Sequence, residues 1–263
     1  MRKAYSTDLS DAQWTRLRSC LPTPKAQGRP RSHSLRDIFD AIFYVLKSGC
    51  HWRLLPHDFP PWSAVYYHFR RYRLNGLWSL ILKALRAAER ERAARNPQPR
   101  AAIIDSQSIK TVEDSTHPSG YDGHKNVKGR KRHLLVDTLG LPLSIYVTSA
   151  DVQDRAGACL LLAGLGPLVP RLKKIWADGA YSGKELANWC EEQRGWELEV
   201  VERDPQAKGF EVLPKRWIVE RTFSWLIRNR RLSKDYERMV QTSEAFVKVA
   251  IIRLILRRLT RGA

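Results

Sequence analysis

Ala101-Ala102-Ile103-Ile104-Asp105-Ser106 marks the point at which the chain changes character. An apolar run too short for a helix and closed by an acid reads as a buried strand. Further on, Lys174-Ile175-Trp176-Ala177-Asp178-Gly179 repeats the pattern, a second short strand that again ends in an acid. Between them, residues 131–149 read as a hairpin: Leu134-Leu135-Val136, a turn at Thr138–Gly140, then Leu143–Val147. Helical stretches follow around Arg155–Leu165 and Leu186–Gln193, with a strand at Glu197–Val201 and a helix from Lys215, just after Pro214. Strand, hairpin, helix, strand, helix, strand, helix predicts an α/β sheet with helices packed on its faces.

Upstream of Ala101 the pattern is helical. Ser10 can cap a short helix carrying Trp14 and Leu17, and Thr23–Ser32 is a basic stretch rich in Pro and Gly. Ser34 caps a helix whose Ile38, Ala41, Ile42, Val45 and Leu46 recur at helical spacing, with Gly49 placed to stop it. A third helix starts near Ser63 and carries Arg70, Arg71 and Arg73; a fourth follows Asn75-Gly76. Pro97 and Pro99 mark a linker, so the expected domains are residues 1–95, small and all-α, and residues 100–263, α/β. The last stretch, from Ser243, reads as an amphipathic basic helix.

The 263 residues carry 46 Lys and Arg against 27 Asp and Glu, a net charge of +19. Residues 1–100 hold +12, residues 101–200 hold −1 and residues 201–263 hold +8. Two basic regions flank a centre that keeps its acids, which points to a polyanionic partner and excludes a simple basic tail. No apolar run approaches the ~20 residues that span a bilayer, and the first residues supply no signal-peptide core. The four cysteines, Cys20, Cys50, Cys159 and Cys190, form no C-x-x-C pair and read as reduced thiols of a cytoplasmic protein.

Asp105, Asp178 and Glu220 are the acids that could carry chemistry. A carboxylate at the end of a buried strand is desolvated and needs compensation, which magnesium supplies through oxygen ligands. Two ions roughly 3.5–4 Å apart can activate a water and stabilise a leaving oxygen in phosphodiester cleavage. The plainer reading stays open: Asp178 before Gly179 suits a turn or cap, and Glu220 can pair with Arg216 one helical turn earlier.

Several segments in order resemble the bacterial insertion-sequence transposases of DDE type, specifically the insertion-sequence-five family. They are Gly49-Cys50-His51-Trp52-Arg53-Leu54-Leu55-Pro56, Ile104-Asp105-Ser106-Gln107-Ser108, Gly129-Arg130-Lys131-Arg132-His133, Ala177-Asp178-Gly179-Ala180-Tyr181, Val219-Glu220-Arg221-Thr222-Phe223-Ser224-Trp225-Leu226 and Asn229–Glu237. The resemblance implies a ribonuclease H-like mixed sheet with flanking helices behind a helix-turn-helix-like DNA-binding domain. It implies Asp105, Asp178 and Glu220 as catalytic metal ligands for two Mg2+ or Mn2+ ions. It further implies cleavage at transposon ends and joining of the freed 3′ ends to target DNA, and Arg216 matches an Arg four residues before the Glu. A Tyr and a Lys found in part of the superfamily are here Leu213 and Ile227, so their roles do not transfer.

Arg70, Arg71, Arg73, Lys128, Arg130, Lys131, Arg132, Arg216, Arg221 and Arg228 are the expected contacts to double-stranded DNA, chiefly its phosphates. For Lys128 to Arg132 the alternative is a charged edge strand. Among the histidines only His133, beside this run, is a candidate for a role, and Trp217 and Trp225 read as core residues. Bringing two ends together implies a homodimer or larger assembly on DNA, in a cytoplasmic, nucleoid-associated protein. A magnesium nuclease without strand transfer, and a non-catalytic DNA-binding regulator derived from such an enzyme, are the rival readings.

Overall fold

The computed structural model describes residues 2–23, 32–112, 118–201 and 215–261. Most of the basic stretch 23–32, together with Leu213 and Pro214, lies outside them. The chain divides into two compact units. One comprises Met1–Arg95, Arg228–Ser233 and Ala245–Ala263; the other comprises Asn96–Ile227 and Lys234–Glu244. A single cut near residue 100 does not express this arrangement, because residues 228–233 and 245–263 group with the helical unit.

The helical unit contains α1 (Asp11–Ser19), α2 (Leu35–Ser48), α3 (Trp62–Leu74) and α4 (Leu77–Arg92). Ser10 and Gln13 form a capping box at the start of α1, and the Ser34 hydroxyl accepts the Arg36 amide at the start of α2. Gly49 ends α2 at φ 75°, and a Cβ there would meet the Cβ of Arg230 at 3.0 Å, so two constraints ask for glycine. Phe39, Phe69, Tyr72 and Trp78 build an aromatic core, with Phe246 stacked on Phe69 at 4.6 Å. Phe246 lies on α8 (Val240–Leu259), which starts in the other unit. Ala245, Phe246, Val247, Val249, Ile251, Ile252, Ile255 and Leu256 are all buried. Burial on every side, rather than along one stripe, makes α8 a core helix and not the amphipathic surface helix its arginines suggest.

In the second unit, β1 (Ala101–Lys110), β2 (Gly120–Asp122), β3 (Val127–Asp137), β4 (Pro142–Ser149), β5 (Lys174–Ala177) and β6 (Glu197–Val200) form one mixed sheet. β3 is antiparallel to β1 on one edge and to β2 and β4 on the other. β5 runs parallel to β1, and β6 parallel to β5. α5 (Asp154–Ala163) and α6 (Lys184–Arg194) provide the crossovers that parallel neighbours require. Ala102, Ile104, Leu135, Ala158, Leu161, Leu162, Ile175, Ala177, Tyr181, Leu186 and Cys190 share one core cluster. Side chains alternate along β1, so Ile103 and Asp105 point to the opposite face. α7 (Arg216–Ile227) packs against β1 and β3.

Candidate active site

β1 does not end at Asp105. It continues through Ser106, Gln107 and Ser108 to Lys110, so the first acid sits in mid-strand. The polar residues that follow it obscured this, and each serine has a partner folded over the sheet. The Ser106 hydroxyl donates to Asp154 Oδ1 at 2.6 Å, and the Ser108 hydroxyl donates to Asp122. Lys131, only 5% exposed, reaches Asp154 at 3.2 Å and Asp122 at 3.5 Å and donates to the Val152 carbonyl at 2.9 Å. Burial raises the Asp122 pKa, but the Ser108 hydroxyl, the Lys125 amide and the Lys131 charge outweigh it and hold the carboxyl down at about 2. A cavity of about 620 Å³ opens here, lined by Asp122, Lys131, Asp154, Arg155 and Ala180 among others. This polar network is not legible in the sequence, since Asp122, Lys131 and Asp154 are far apart along the chain and Lys131 reads as part of a basic run.

β5 does end at its acid. Ile103 pairs with Trp176; Asp105 lies two residues further along β1, and Asp178 follows the end of β5 as the cap of the next turn, near enough for its charge to act on Asp105. Burial, reinforced by Asp178, pushes the Asp105 carboxyl up to about 7. The Ser106 amide, donating at 2.6 Å, and the charges of Lys125 and Arg216 oppose that rise. Asp178 also caps the short turn Gly179–Tyr181, accepting the Ala180 amide at 3.0 Å. The cap reading of this residue holds, and the cap leaves its carboxylate near Asp105.

Glu220 lies on α7, exposed, and its Oε1 is 3.7 Å from Arg216, the expected one-turn pair. The same guanidinium reaches Asp178 Oδ2 at 3.3 Å, so one Arg links the second and third acids. Tyr181 is 1% exposed, with its hydroxyl among Asp105, Asp154 and Asp178. Burial first, then those charges, raise its pKa well above the usual value. Among the described residues no three His, Cys, Asp or Glu side chains stand close enough to hold a metal ion together. Asp105 and Asp178 nonetheless form a like-charged pair of oxygen donors whose mutual cost a divalent cation removes, and the donor chemistry fits magnesium or manganese.

The structure corrects part of the expected DNA surface. Arg130 and Arg132 are fully buried and Lys131 nearly so. Arg130 pairs with Asp235 at 3.2 Å and donates to the carbonyls of Pro118, Glu237 and Arg238. β3 is an interior strand here, paired on both edges, so these cations answer internal acids and carbonyls instead of phosphates. His133 is likewise interior: its Nε2 is 3.0 Å from the Thr148 hydroxyl, burial lowers its pKa to about 4, and Gly157 packs flat against the ring. Lys128, Arg70, Arg71 and Arg228 remain exposed, while Arg73, Arg216 and Arg221 are half-buried. Arg221 lies 4.5 Å and 4.8 Å from the ring centres of Trp217 and Trp225. Trp217 is 45% exposed and so is not the core residue its type suggests. Ile227 closes α7.

Comparison with known proteins agrees with this arrangement. Residues 96–255 match the family model described as transposase DDE domain, and residues 9–82 match that of a putative transposase of the IS4/5 family. A putative transposase for insertion sequence element IS402 from Burkholderia cepacia is 29% identical over 184 residues, 65% of this chain and 84% of the relative. The insertion element IS402 uncharacterized 16.2 kDa protein of the same organism is 32% identical over 114 residues, covering 40% of this chain and 74% of its own length. No described helix is long and apolar enough to cross a membrane. With the DDE-domain match extending over more than half of its length, the chain belongs to the DDE-domain transposases of insertion sequences and is a transposase enzyme.

Proposed function

We propose that the protein binds the two ends of its element through the helical unit, cleaves them at the sheet of the second unit and joins the freed 3′ ends to target DNA. The observation that carries this is the nearness of Asp105, on β1, to Asp178, just past the end of the parallel neighbour β5, with Arg216 linking Asp178 to Glu220. The strand order β4-β3-β1-β5-β6, antiparallel in its first half and parallel in its second, supports a ribonuclease H-like core.

In this reading Asp105, Asp178 and Glu220 hold Mg2+ or Mn2+, two ions in the working complex. Bound there, divalent ions supply an activated water and stabilise the leaving oxygen. Arg216 fixes the Asp178 and Glu220 carboxylates relative to each other. Lys125, whose charge favours ionised Asp105, lies beside the acid on the chain that leads into β3. Arg70, Arg71, Arg73, Lys128, Arg221 and Arg228 supply contacts to the DNA, chiefly to its backbone, and each phosphate so neutralised releases its counterions. Because two ends must be held together, the working species is a homodimer or larger.

The test uses purified full-length protein, a labelled duplex carrying the element's own ends and a supercoiled target plasmid, with magnesium, with EDTA and with Asp105→Ala. Joined end-to-target products that require both magnesium and Asp105 are expected. Cleavage without joining would replace the reading by a nuclease. Binding without cleavage in either magnesium or manganese would replace it by a regulator.

A further inference from the structure

The residues of α3 that the fold leaves outside carry a chemistry of their own. Val65, Phe69 and Tyr72 bury one side of the helix. Trp62, Ser63, Tyr66, Tyr67, Arg70, Arg71 and Leu74 are exposed, and at 3.6 residues per turn they cover about half of the circumference. Three of the seven are large aromatics, at 38%, 36% and 56% exposure, and Leu74 is at 61%. A lone exposed apolar side chain needs no explanation, but a continuous aromatic strip on one helix face marks a surface that meets a partner.

The charge on this strip says which partner. α3 contains no acid and has Arg70, Arg71 and Arg73 in its second half. Arg53, from the turn before it, lies 5.3 Å from the Trp62 ring centre, so a fourth guanidinium borders the strip at its start. The residues from Met1 to Arg100 carry +12 overall. A cationic and aromatic face suits a nucleic acid and not an apolar protein surface. The helix is about 20 Å long, and the major groove of duplex DNA, about 12 Å wide, admits one helix.

Resting on the DNA-binding reading of the helical unit, we infer that α3 is the element that reads base edges in the major groove, with Ser63, Tyr67 and Arg70 facing the bases and Arg53 and Arg71 gripping the strands on either side. The division follows from helix geometry. Ser63 and Arg70, seven residues apart, lie along the midline of the exposed arc, and Tyr66 and Tyr67 flank it. Trp62 and Arg71 lie at its two borders, and Trp62 brings Arg53 with it. The Arg70 fork suits the two acceptors of a guanine edge, and Ser63 and Tyr67 add hydroxyls that can donate or accept. Arg71 and Arg53, at the borders, reach only backbone and carry no sequence information. Trp52, edge-on to Tyr66 at 5.4 Å, braces the strip from beneath.

The experiment selects duplexes from a randomised pool with the full-length protein and then measures affinity for the enriched duplex and for a shuffled one of equal composition. Arg70→Lys keeps the charge and loses the fork; Tyr67→Ala keeps the charge and loses the ring and hydroxyl. Each is expected to cost about tenfold on the enriched duplex, the discrimination one base contact supplies, and to leave the shuffled duplex unchanged. Arg71→Ala is expected to weaken both duplexes alike and to reduce the salt slope by about one. All three side chains are exposed, so thermal melting should coincide with wild type and exclude misfolding. Unaltered discrimination by Arg70→Lys and Tyr67→Ala, with wild type still enriching a sequence, would overturn the assignment of α3 alone. A wild-type protein that enriches nothing and binds no duplex would overturn the DNA-binding reading of the unit, and this inference with it.

Discussion

Arg216 stands 3.3 Å from Asp178, an ion pair that ties the turn after β5 to the first turn of α7. Its second partner, Glu220, is on its own helix and more than half exposed, so that contact contributes little to stability. Arg216→Ala should therefore lower folding stability by about 1 kcal/mol or less. Cleavage should fall much further, by about two orders of magnitude, because misplacing a reacting group by an ångström costs that much. Melting curves and single-turnover cleavage on one preparation check the disproportion; a fall in both to the same small degree would reduce Arg216 to a surface pair.

Asp105, held up at about 7 by burial and by Asp178, predicts a pH dependence with a definite sign. An unfolded Asp ionises near 4, so between roughly pH 4 and 7 the native state holds a proton that the unfolded state has lost. Stability from this group is therefore greatest below pH 4 and falls as pH rises, levelling off above 7. Asp105→Asn removes the penalty. In EDTA the variant should be more stable than wild type at pH 8, by about 1 kcal/mol or more, and indistinguishable at pH 4. Added magnesium should raise the melting temperature of wild type at pH 8 and leave the variant unmoved. Equal response of the two proteins to magnesium would place the ion elsewhere.

How far these relationships could be read from sequence depends on what each element buries. Ile175-Trp176-Ala177 is apolar throughout and closes at Asp178, so its limits were plain. The sequence marks β1 only as far as Asp105, because Ser106 and Ser108 look like loop residues until Asp154 and Asp122 supply their acceptors. Gly120–Asp122 is a strand of only three residues, too few to carry a periodicity in the sequence. Asp105 and Asp178 stand out as candidates by their position after apolar runs, and all three acids by resemblance, whereas Arg216 bridging Asp178 and Glu220 is a tertiary fact. Arg130, Lys131 and Arg132 misled for a related reason: consecutive cations signal a surface unless acids distant in sequence fold over them, and Asp235 and Asp154 do so here.

Lys131 tests that lesson directly. Its ammonium lies between Asp122 and Asp154, and Lys131→Met would leave the buried Asp122 and the half-buried Asp154 without their cation. The expected loss is about 3 kcal/mol, the scale for removing one partner from a buried pair. The variant should also lose part of what holds Asp122 at about 2. A depressed carboxyl gives stability that is present above pH 4 and is lost as pH falls towards 2, so the deficit should narrow under acid. Lys128→Ala, on the exposed part of the same strand, should show the opposite profile. Its stability should match wild type within about 0.5 kcal/mol while the salt slope of DNA binding drops by about one. A salt slope changed by Lys131→Met at equal folded fraction would return that residue to the DNA surface.

Arg130 and Asp235 are both fully buried and 3.2 Å apart, and the guanidinium also donates to the Glu237 carbonyl at 2.6 Å and the Arg238 carbonyl at 2.9 Å. The pair thus pins the segment after Lys234, which the chain reaches only after passing through residues of the helical unit, onto the start of β3. Arg130→Met takes the paired cation from buried Asp235 and strips three carbonyls of a donor, so a loss of about 3–5 kcal/mol is expected. Asp235→Asn, which removes the charge and keeps the shape, should cost less, because the Arg130 guanidinium retains its carbonyl acceptors. In the double variant Arg130→Met/Asp235→Asn the cost should fall well short of the sum, a coupling of about 1–3 kcal/mol measurable by a denaturant double-mutant cycle. Strictly additive losses would mean that the carbonyl contacts, and not the ion pair, hold this segment in place.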